Sequence, residues 1–281
     1  MKYVFFGSPR FATIVLIRLL DAGFTPAALV CNPDRPVGRK QVITPPPTKE
    51  VMLGRLQTAP IIQPEKITAG FANEIQVLNP DFFVVAAYAS IIPEAVLAIP
   101  RLGTLGVHPS LLPKYRGATP IQSAILNGET ETGSTIFIMD SKVDHGAIIA
   151  QDKLSIGPDE TYDSLEMRLA TLSGGLLVDA IPQFMDGKLT PQPQDDLQAT
   201  FTKKFETIDG FIDERDLAQA ESGDAVAATT IHRKIRALNP EPGCWTMRGM
   251  KRVKLLEATL ANGVFRLKTI QEEGGVPKPA A

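Results

Sequence analysis

Residues 81–89 read DFFVVAAYA. After the first aspartate it forms an unbroken apolar run, without the alternation of apolar and charged side chains that marks a half-exposed strand. Strands that are buried on both faces have this character, and they occur in parallel sheets that helices cover on both sides. The sequence therefore predicts a central strand of an α/β protein at this point.

On either side of this strand, short apolar runs alternate with segments that have the helical period of 3.6 residues. This alternation predicts an α/β fold with a doubly wound, mostly parallel, Rossmann-like sheet. The predicted strands cover residues 2–7, 25–31, 61–63, 81–89, 104–108, 134–139 and 147–154. The predicted helices cover residues 11–22, 49–56, 68–78, 118–126 and 161–185.

The composition changes near residue 187. Residues 187–200, GKLTPQPQDDLQAT, are polar and contain two prolines, which predicts a linker. We therefore expect a first domain over residues 1–186 and a second over residues 201–281. Apolar runs separated by Arg-Gly and Asn-Gly turns predict that the second domain is rich in β-structure. Its helix is expected at residues 229–238, and the tail from residue 274 is expected to be disordered.

Charge is distributed unevenly along the chain. The 281 residues contain 29 Lys and Arg against 31 Asp and Glu, a formal net charge of −2. Residues 229–268 depart from this balance, with nine basic and two acidic side chains. A local basic surface in a near-neutral protein fits a contact with nucleic-acid phosphates. The solvated face of a small β domain is the alternative.

Several classes of protein are disfavoured by what the sequence lacks. It contains no window of about 18 apolar residues, so no membrane span is expected. Cys31 and Cys244 are far apart, which suits a reducing compartment. The CxxC and HxxxH spacings of metal sites are absent, and no metal is expected. The opening residues do not form a signal peptide, and we expect a cytoplasmic protein.

Polar residues at the ends of the predicted strands indicate a site. The first strand leads into GSPRF, which is neither a GxGxxG fingerprint nor a GxxxxGK[ST] phosphate loop. Doubly wound sheets nevertheless bind ligands at strand ends where the strand order reverses. His108 ends one strand, and Asp140 and Asp144 follow another, so we expect the strand ends to bring them together.

A His–Asp pair of this kind can stabilise a developing oxyanion or move a proton. No serine lies in a GxSxG elbow, which argues against serine hydrolysis. A histidine that only caps its strand, and an aspartate that only forms a turn, are the alternatives for His108 and Asp144. The combination of the pair with the rigid, proline-containing loop after His108 favours the functional interpretation.

Residues 106–149 carry a resemblance to a known family. They read GVHPSLLPKYRGATPIQSAILNGETETGSTIFIMDSKVDHGAII. The stretch resembles the signature of the folate-dependent formyltransferases, approximately Asn-x-His-x-Ser-Leu-Leu-Pro, then Arg-Gly, Pro-Ile, Thr-Gly-x-Thr and an Asp-Gly turn. Similar to further family segments are FFGSPRFA, PDRPVGRKQVITPPPTK, LNPDFFVVAAYASIIP, RALNPEPGCWT and KRVKLLEA. The resemblance covers about residues 1–270.

The resemblance implies transfer of a formyl group from 10-formyltetrahydrofolate to an amine. Within the family, the chain looks most like members whose amine is the α-amino group of methionine on charged initiator tRNA. The implied architecture is a Rossmann-like domain followed by a small OB-like β-barrel domain, which is short in this chain. The implied partner is charged initiator tRNA, and a monomer is expected.

The resemblance also implies roles for particular residues. It assigns the stabilisation of the oxyanion to His108, supported by Asp144. For Tyr88 and Met139, core packing is the alternative to folate binding. The resemblance assigns folate binding to Ser110, Leu111, Leu112, Pro113, Tyr88, Ile91, Ile92, Met139, Asp140 and Val143. It gives tRNA contact to Arg35, Arg39, Lys40, Arg233, Lys234, Arg236, Lys251 and Arg252.

One position departs from the family pattern. Gly106 stands where the family has an Asn that would donate to the oxyanion, and loss of one such donor typically costs about 10²–10³ in rate. A water in the freed space would substitute for the amide, or His145 would reach the site. Two further alternatives therefore stay open: transfer to another amine such as an amino sugar, and a non-catalytic protein that binds folate or tRNA.

Overall fold

The computed structural model describes residues 1–38, 40–56 and 58–280. The strands are β1 (Tyr3–Phe6), β2 (Ala28–Val30), β3 (Arg35–Val37), β4 (Val42–Thr44), β5 (Ile61–Ile62), β6 (Phe82–Ala86), β7 (Thr104–His108), β8 (Arg116–Gly117), β9 (Glu131–Ile138), β10 (Ile148–Ser155), β11 (Phe201–Thr202), β12 (Trp245–Arg248), β13 (Lys251–Ala261), β14 (Val264–Glu272) and β15 (Lys278–Pro279). The helices are α1 (Arg10–Asp21), α2 (Pro47–Arg55), α3 (Ala69–Val77), α4 (Glu94–Leu97), α5 (Pro120–Asn127), α6 (Tyr162–Met185), α7 (Glu214–Glu221) and α8 (Ala225–Leu238). Over the described ranges, none of these helices combines the length and apolar character needed to cross a membrane.

Seven strands form the central sheet, in the order β10-β9-β7-β6-β1-β2-β5. The pairs from β5 to β7 are parallel, whereas β9 pairs antiparallel with β7. The predicted doubly wound, mostly parallel sheet is therefore confirmed. The chain moves outward from β1 to β5 and then returns to β6 on the other side of β1, so the strand order reverses between β1 and β6.

The stretch at residues 81–89 supplies β6, and both of its faces are covered. On one face Phe83 belongs to a buried cluster with Phe71 of α3. On the other face Phe82 stacks on Tyr3, with ring centroids 5.4 Å apart, and meets Phe184 of α6 edge to face at 6.0 Å. This burial explains the unbroken apolar run, because an unpaired charge on either face would be removed from water at high cost.

The antiparallel direction of β9 was not predicted, and it changes the geometry of the site. In its register Gly106 lies opposite Phe137, and His108 lies opposite Thr135. Cross-strand partners share a face of the sheet, so β9 presents these two side chains beside the candidate residues of β7. The end of β9 lies next to the start of β7, where Met139 N donates to Thr104 O at 2.8 Å.

The chain divides into two compact units that do not follow chain order. The unit with the central sheet comprises residues 1–116, 133–154 and 166–200. The other unit comprises residues 117–132, 155–165 and 201–281. The predicted division into residues 1–186 and 201–281 stays a proposal, and it differs from these units by assigning the two short segments to the first domain.

The second unit is built on an antiparallel sheet in the order β12-β13-β14-β15. Helix α8 packs against α5, α7 and β13. The predicted β-rich C-terminal part is therefore confirmed. The disorder predicted for the whole tail is wrong, because β15 pairs with Thr269 and Ile270 of β14.

The predicted linker at residues 187–200 is tied to the central unit. Ile148 and Gln192 exchange two backbone hydrogen bonds of 2.8 Å. A short 3-10 helix follows at Asp196–Gln198. The segment is therefore an ordered part of the first unit, and its side chains contact residues of the candidate site.

Candidate active site

His108 ends β7, and the residue is 5% exposed. Its Nε2 lies 2.8 Å from the backbone oxygen of Tyr115. Because a carbonyl oxygen only accepts, Nε2 carries a proton in this contact. Its Nδ1 lies 3.6 Å from Asp144 Oδ2, which is longer than a hydrogen bond. The structure thus brings the two predicted catalytic residues together.

The reason for their meeting differs from the predicted one. Because β9 is antiparallel to β7, its end lies beside the start of β7 rather than beside His108. The loop after β9 therefore has to fold back before Asp144 can reach the imidazole. Gly146 permits this return, because a Cβ atom there would lie 1.7 Å from the Ile138 backbone oxygen.

The loop after His108 is anchored to the sheet beneath it. The Thr135 hydroxyl donates to Ser110 O at 2.6 Å and accepts from Leu112 N at 3.2 Å. Gln151 Nε2 donates to Leu112 O at 3.0 Å and to Thr135 Oγ1 at 2.8 Å. These contacts hold the proline-containing loop in place. They explain the presence of a Thr and a Gln on the neighbouring strands β9 and β10.

The predicted folate residues differ in exposure. Ser110 and Leu112 are buried, and the Ser110 hydroxyl donates to Lys114 O at 2.7 Å, so these two side chains shape the loop. Ile91 and Val143 are largely exposed. Ile92 is buried in the sheet cluster, and the half-buried members are Tyr88, Leu111, Pro113, Met139 and Asp140. Contact of any of them with folate remains a prediction.

Tyr88 lies just beyond β6, where the strand order reverses. Its ring meets Phe6 of β1 edge to face, with centroids 5.6 Å apart. Its hydroxyl is buried and makes no well-formed hydrogen bond within the described residues, although the side chain of Ser90 is close enough to offset part of the rise in the Tyr88 pKa that burial causes. A buried hydroxyl without a partner is costly unless a ligand or water supplies one. Its position at the switch point of the sheet suits a ligand that carries polar ring atoms.

The space beside Gly106 is filled by the Phe137 ring. A Cβ atom at residue 106 would lie 2.5 Å from Phe137 Cε1 and 2.9 Å from Met139 Cγ, much closer than ordinary contacts. Gly106 does not have a positive φ, so backbone conformation does not require the glycine. The expectation that Gly106 leaves an open space at its Cβ position is wrong, because the Phe137 ring fills it.

His145 contacts two carboxylates, neither of which is that of Asp144. Its Nδ1 lies 2.6 Å from Asp140 Oδ2, and its Nε2 lies 3.4 Å from Asp196 Oδ2. Arg116 Nη2 donates to the other oxygen of Asp196 at 2.8 Å, and this hydrogen bond is the main cause that lowers the pKa of Asp196 below its usual value. Both ring nitrogens of His145 therefore contact carboxylates, and the replacement of the missing amide by His145 stays a prediction that these contacts do not favour.

Two predicted tRNA-binding residues of α8 make contacts inside the protein. Lys234 Nζ donates to the backbone oxygen of Phe211 at 2.6 Å. Arg236 Nη1 donates to the backbone oxygen of Glu160 at 2.5 Å. Burial is the main cause that lowers the pKa of Arg236. These side chains hold the second unit together, and their contact with tRNA remains a prediction.

The other basic predictions are divided between packed and exposed side chains. Arg252 lies over the Trp245 ring, 4.2 Å from its centroid, and Arg233 packs against Gly128. Lys251 is exposed. An exposed lysine is better placed than a packed arginine to meet a phosphate.

The N-terminal basic loop, residues 32–49, contains a hairpin of β3 and β4 that the sequence analysis did not predict. Arg35 forms an ion pair with Glu65, and Lys40 is exposed. Arg39, the third predicted tRNA contact of this loop, lies outside the described residues. The described part of the chain contains no group of three or more His, Cys, Asp and Glu side chains that could hold a metal ion.

The doubly wound sheet carries His108 at a strand end with Asp144 beside it, and such a pair can stabilise an oxyanion or move a proton. Residues 1–181 match the family described as "Formyl transferase", and residues 226–276 match "Formyl transferase, C-terminal domain". The chain belongs to the formyl transferase family, as the sequence resemblance indicated.

Relatives and solved structures agree with this membership. A protein described as "Methionyl-tRNA formyltransferase" from Synechococcus sp. (strain JA-3-3Ab) is 42% identical over 262 residues, which cover 92% of this chain and 77% of that protein. Another with this description, from Roseiflexus sp. (strain RS-1), is 38% identical over 307 residues, which cover 100% of this chain and 91% of that protein. The fold is similar to an N-formyltransferase from Helicobacter canadensis, with a TM-score of 0.65 at 20% identity over 93% of this chain and 88% of that one.

Gly106→Asn is expected to destabilise the protein, because the new side chain would overlap the Phe137 ring. Overpacking of this kind typically costs about 1–3 kcal/mol. In a Phe137→Leu background the end of the ring is absent, and the cost of the Asn should be smaller by about 0.5–3 kcal/mol. Denaturant unfolding of the four proteins of this double-mutant cycle measures the difference.

The control is Gly54→Asn in α2, where a Cβ atom would meet no heavy atom within 4 Å. Its effect on the free energy of unfolding should stay within about 0.5 kcal/mol in both backgrounds. If Gly106→Asn costs the same with and without the Phe137 ring, the proposed overlap is not what excludes the amide.

Proposed function

We propose that the chain transfers a formyl group from 10-formyltetrahydrofolate to the α-amino group of methionine on charged initiator tRNA, for translation initiation. The observation that carries the proposal is the His108–Asp144 pair, with 3.6 Å between Nδ1 and Oδ2. Two relatives at 38–42% identity are described as methionyl-tRNA formyltransferases. This level of similarity over most of the chain favours tRNA over an amino sugar as the source of the amine.

The reaction requires little general-base catalysis. The amine nitrogen bonds to the formyl carbon, and the bond from that carbon to N10 of the folate breaks. The amine loses a proton and N10 gains one. An α-amino group has a pKa of about 7.7–8.0, and an adjacent ester lowers it, so a neutral fraction is present at pH 7. The main task left to the protein is to stabilise the oxyanion on the tetrahedral carbon.

His108 is the donor for that oxyanion. Its Nε2 contacts the Tyr115 backbone oxygen, which fixes the orientation of the ring. Its Nδ1 lies 3.6 Å from Asp144 Oδ2, too far for a hydrogen bond, so we assign Nδ1 to the reacting oxygen. The Asp144 carboxylate complements the positive ring that forms when Nδ1 is also protonated. Because the ring is almost fully buried, water competes little for this hydrogen bond.

A folate-type donor fits the reversal point between β1 and β6. The orphan hydroxyl of Tyr88, buried and without a well-formed hydrogen bond to the described residues, offers a hydrogen-bonding group there. The exposed apolar side chains of Ile91 and Val143 offer surface for a flat ring. The absent amide at residue 106 lowers the expected rate by about 10²–10³, which is small beside the 10⁶-fold or greater acceleration of most enzymes.

His108→Ala is expected to slow single-turnover formyl transfer to charged initiator tRNA by more than about 10²-fold, because it removes the oxyanion donor. Asp144→Asn should keep the fold and lose most of the rate, because the neutral amide no longer complements a positive ring. The measurement uses formyl-folate and charged initiator tRNA at saturating concentrations.

Asp152→Asn, an exposed aspartate on β10, is the matched control and should keep the wild-type rate. Near-normal turnover in His108→Ala or Asp144→Asn would remove the proposed site. If the unaltered protein binds formyl-folate but is inert with every amine tried, the non-catalytic alternative replaces the proposal.

Two tyrosines allow a sharp test of the folate site. Tyr88→Phe should raise the KM for formyl-folate about 2–10-fold, the value of one ordinary hydrogen bond, and leave Tm unchanged or higher. Tyr3→Phe should lower Tm and leave the KM for formyl-folate unchanged, because the Tyr3 hydroxyl is buried and already donates to Phe24 O at 2.8 Å. An unchanged KM in Tyr88→Phe would show that the folate does not use the orphan hydroxyl.

For tRNA, exposed lysines are expected to matter more than packed ones. Lys251→Ala and Lys40→Ala should each reduce the magnitude of the log–log salt slope of tRNA binding by about 0.7–0.9, the loss of one phosphate contact. Lys188→Ala, an exposed lysine paired with Asp186, is the control and should keep the slope. A salt slope that does not change in Lys251→Ala would favour the solvated-face interpretation of the basic stretch.

A further inference from the structure

The two residues that orient the His108 ring both have unusual backbone conformations. Tyr115, whose carbonyl oxygen meets Nε2, has φ 61°, and Asp144, whose carboxylate faces Nδ1, has φ 48°. A non-glycine residue in this left-handed region is uncommon and persists where the surrounding structure holds it. The surrounding contacts come from the segment that the sequence indicated as a linker.

Gln194 holds the Asp144 side of the ring. Its Nε2 donates to the backbone oxygen of Asp144 at 2.9 Å and to that of Gly146 at 2.8 Å. Its Oε1 accepts from Nε of Arg116 at 3.0 Å and from Nη2 at 2.8 Å. Both amide hydrogens and both lone pairs of this side chain are therefore used.

The partners leave only one orientation for the Gln194 amide. The two backbone oxygens can only accept, and the Arg116 guanidinium can only donate. Arg116 is 3% exposed, and Asp196 gives it a carboxylate partner at 2.8 Å. A buried, charged group of this kind helps to fix its neighbours, because a shift of Gln194 or Asp196 would weaken charge-assisted hydrogen bonds that are not exposed to water.

Thr200 holds the Tyr115 side of the ring. Its Oγ1 accepts from Tyr115 N at 2.8 Å, and its backbone oxygen accepts from Arg116 N at 2.8 Å. The same short segment therefore contacts both residues that orient His108. Neither Gln194 nor Thr200 contacts the imidazole itself in any hydrogen bond described above.

We propose that Gln194, Arg116 and Thr200 form a clamp that positions Asp144 and Tyr115, and through them the His108 ring. They are positioning residues, since they act through backbone groups of the residues that contact His108. The proposal rests on the proposed function for its effect on rate, whereas its effect on the imidazole is independent of any substrate. It assigns the polar, proline-containing segment a role in catalysis.

The fold-back of the loop after β9 explains why a clamp is needed. Strand direction does not carry Asp144 to His108, and without Gln194 two inward-facing backbone oxygens lose their donor. A misplacement of about 1 Å in a reacting group is enough to cost roughly 10²-fold in rate. The clamp therefore affects kcat rather than substrate affinity.

The test compares Gln194→Ala with Gln198→Ala, an exposed glutamine four residues later whose side-chain amide donates to Asp195. Gln194→Ala should lower kcat about 10–100-fold and leave the KM values for formyl-folate and tRNA within about twofold. Gln198→Ala should change neither. A wild-type kcat in folded Gln194→Ala would overturn the proposal, and so would an equal loss in Gln198→Ala.

A second readout does not require turnover. The ¹⁵N signals of the His108 imidazole should show Nε2 protonated in the unaltered protein and should shift in Gln194→Ala but not in Gln198→Ala. Unchanged imidazole signals in Gln194→Ala would overturn the clamp even if the rate falls. A protein that transfers no formyl group yet shows the imidazole shift would refute the proposed function and leave the clamp standing.

Thr200→Val covers the case in which Gln194→Ala does not fold. It keeps the shape of an exposed side chain and removes only the acceptor for Tyr115 N. We expect a smaller loss of kcat, about 3–10-fold for one hydrogen bond of roughly ordinary strength, with KM and Tm little changed. No change in kcat and no change in the imidazole signals would overturn the Tyr115 half of the clamp.

Discussion

The site depends on one constraint, the antiparallel direction of β9 beside β7. This direction sets Gly106 opposite Phe137 and His108 opposite Thr135. It also carries the chain away from His108 at the end of β9, so that the next loop must turn back for Asp144 to reach the ring. A slip of one residue in this pair would turn Thr135 to the other face and release the loop after His108. The arrangement of the site is thus set by backbone pairing before any ligand is present.

The sequence predicted the sheet well because burial on both faces leaves a strong signal, as in the run at residues 81–89. It missed α7, whose only buried side chains are Leu217 and Ala220, since so small an apolar face gives no clear helical period. It began α8 four residues late, although Asp224 accepts from Val226 N and Ala227 N at 2.9 Å and marks the start of the helix. Such caps were readable in the sequence.

The site was predictable only in part. The proximity of His108 and Asp144 was predicted through strand ends and family resemblance, although the strand-end reasoning assumed the wrong direction for β9. Gln194 was not found, because its partners lie 50 and 78 residues away in the chain and no local pattern connects them. Charge counts had a similar limit. Lys234 and Arg236 contribute to a basic stretch in the sequence, yet the fold uses their charges in internal contacts.

Gly106 and Phe137 are best understood as one feature of this chain. A glycine alone in a buried strand would leave a cavity, and cavities of that kind are costly. The Phe137 ring fills the space, which removes that cost and at the same time blocks the return of an asparagine. With an amide at residue 106, two donors would share the oxyanion, and a displaced imidazole would leave one of them in place. In this chain His108 has no such partner at residue 106. Under the proposed function, the contacts that orient the ring, from Tyr115, Asp144 and the proposed clamp, therefore contribute more to catalysis than they would beside a second donor.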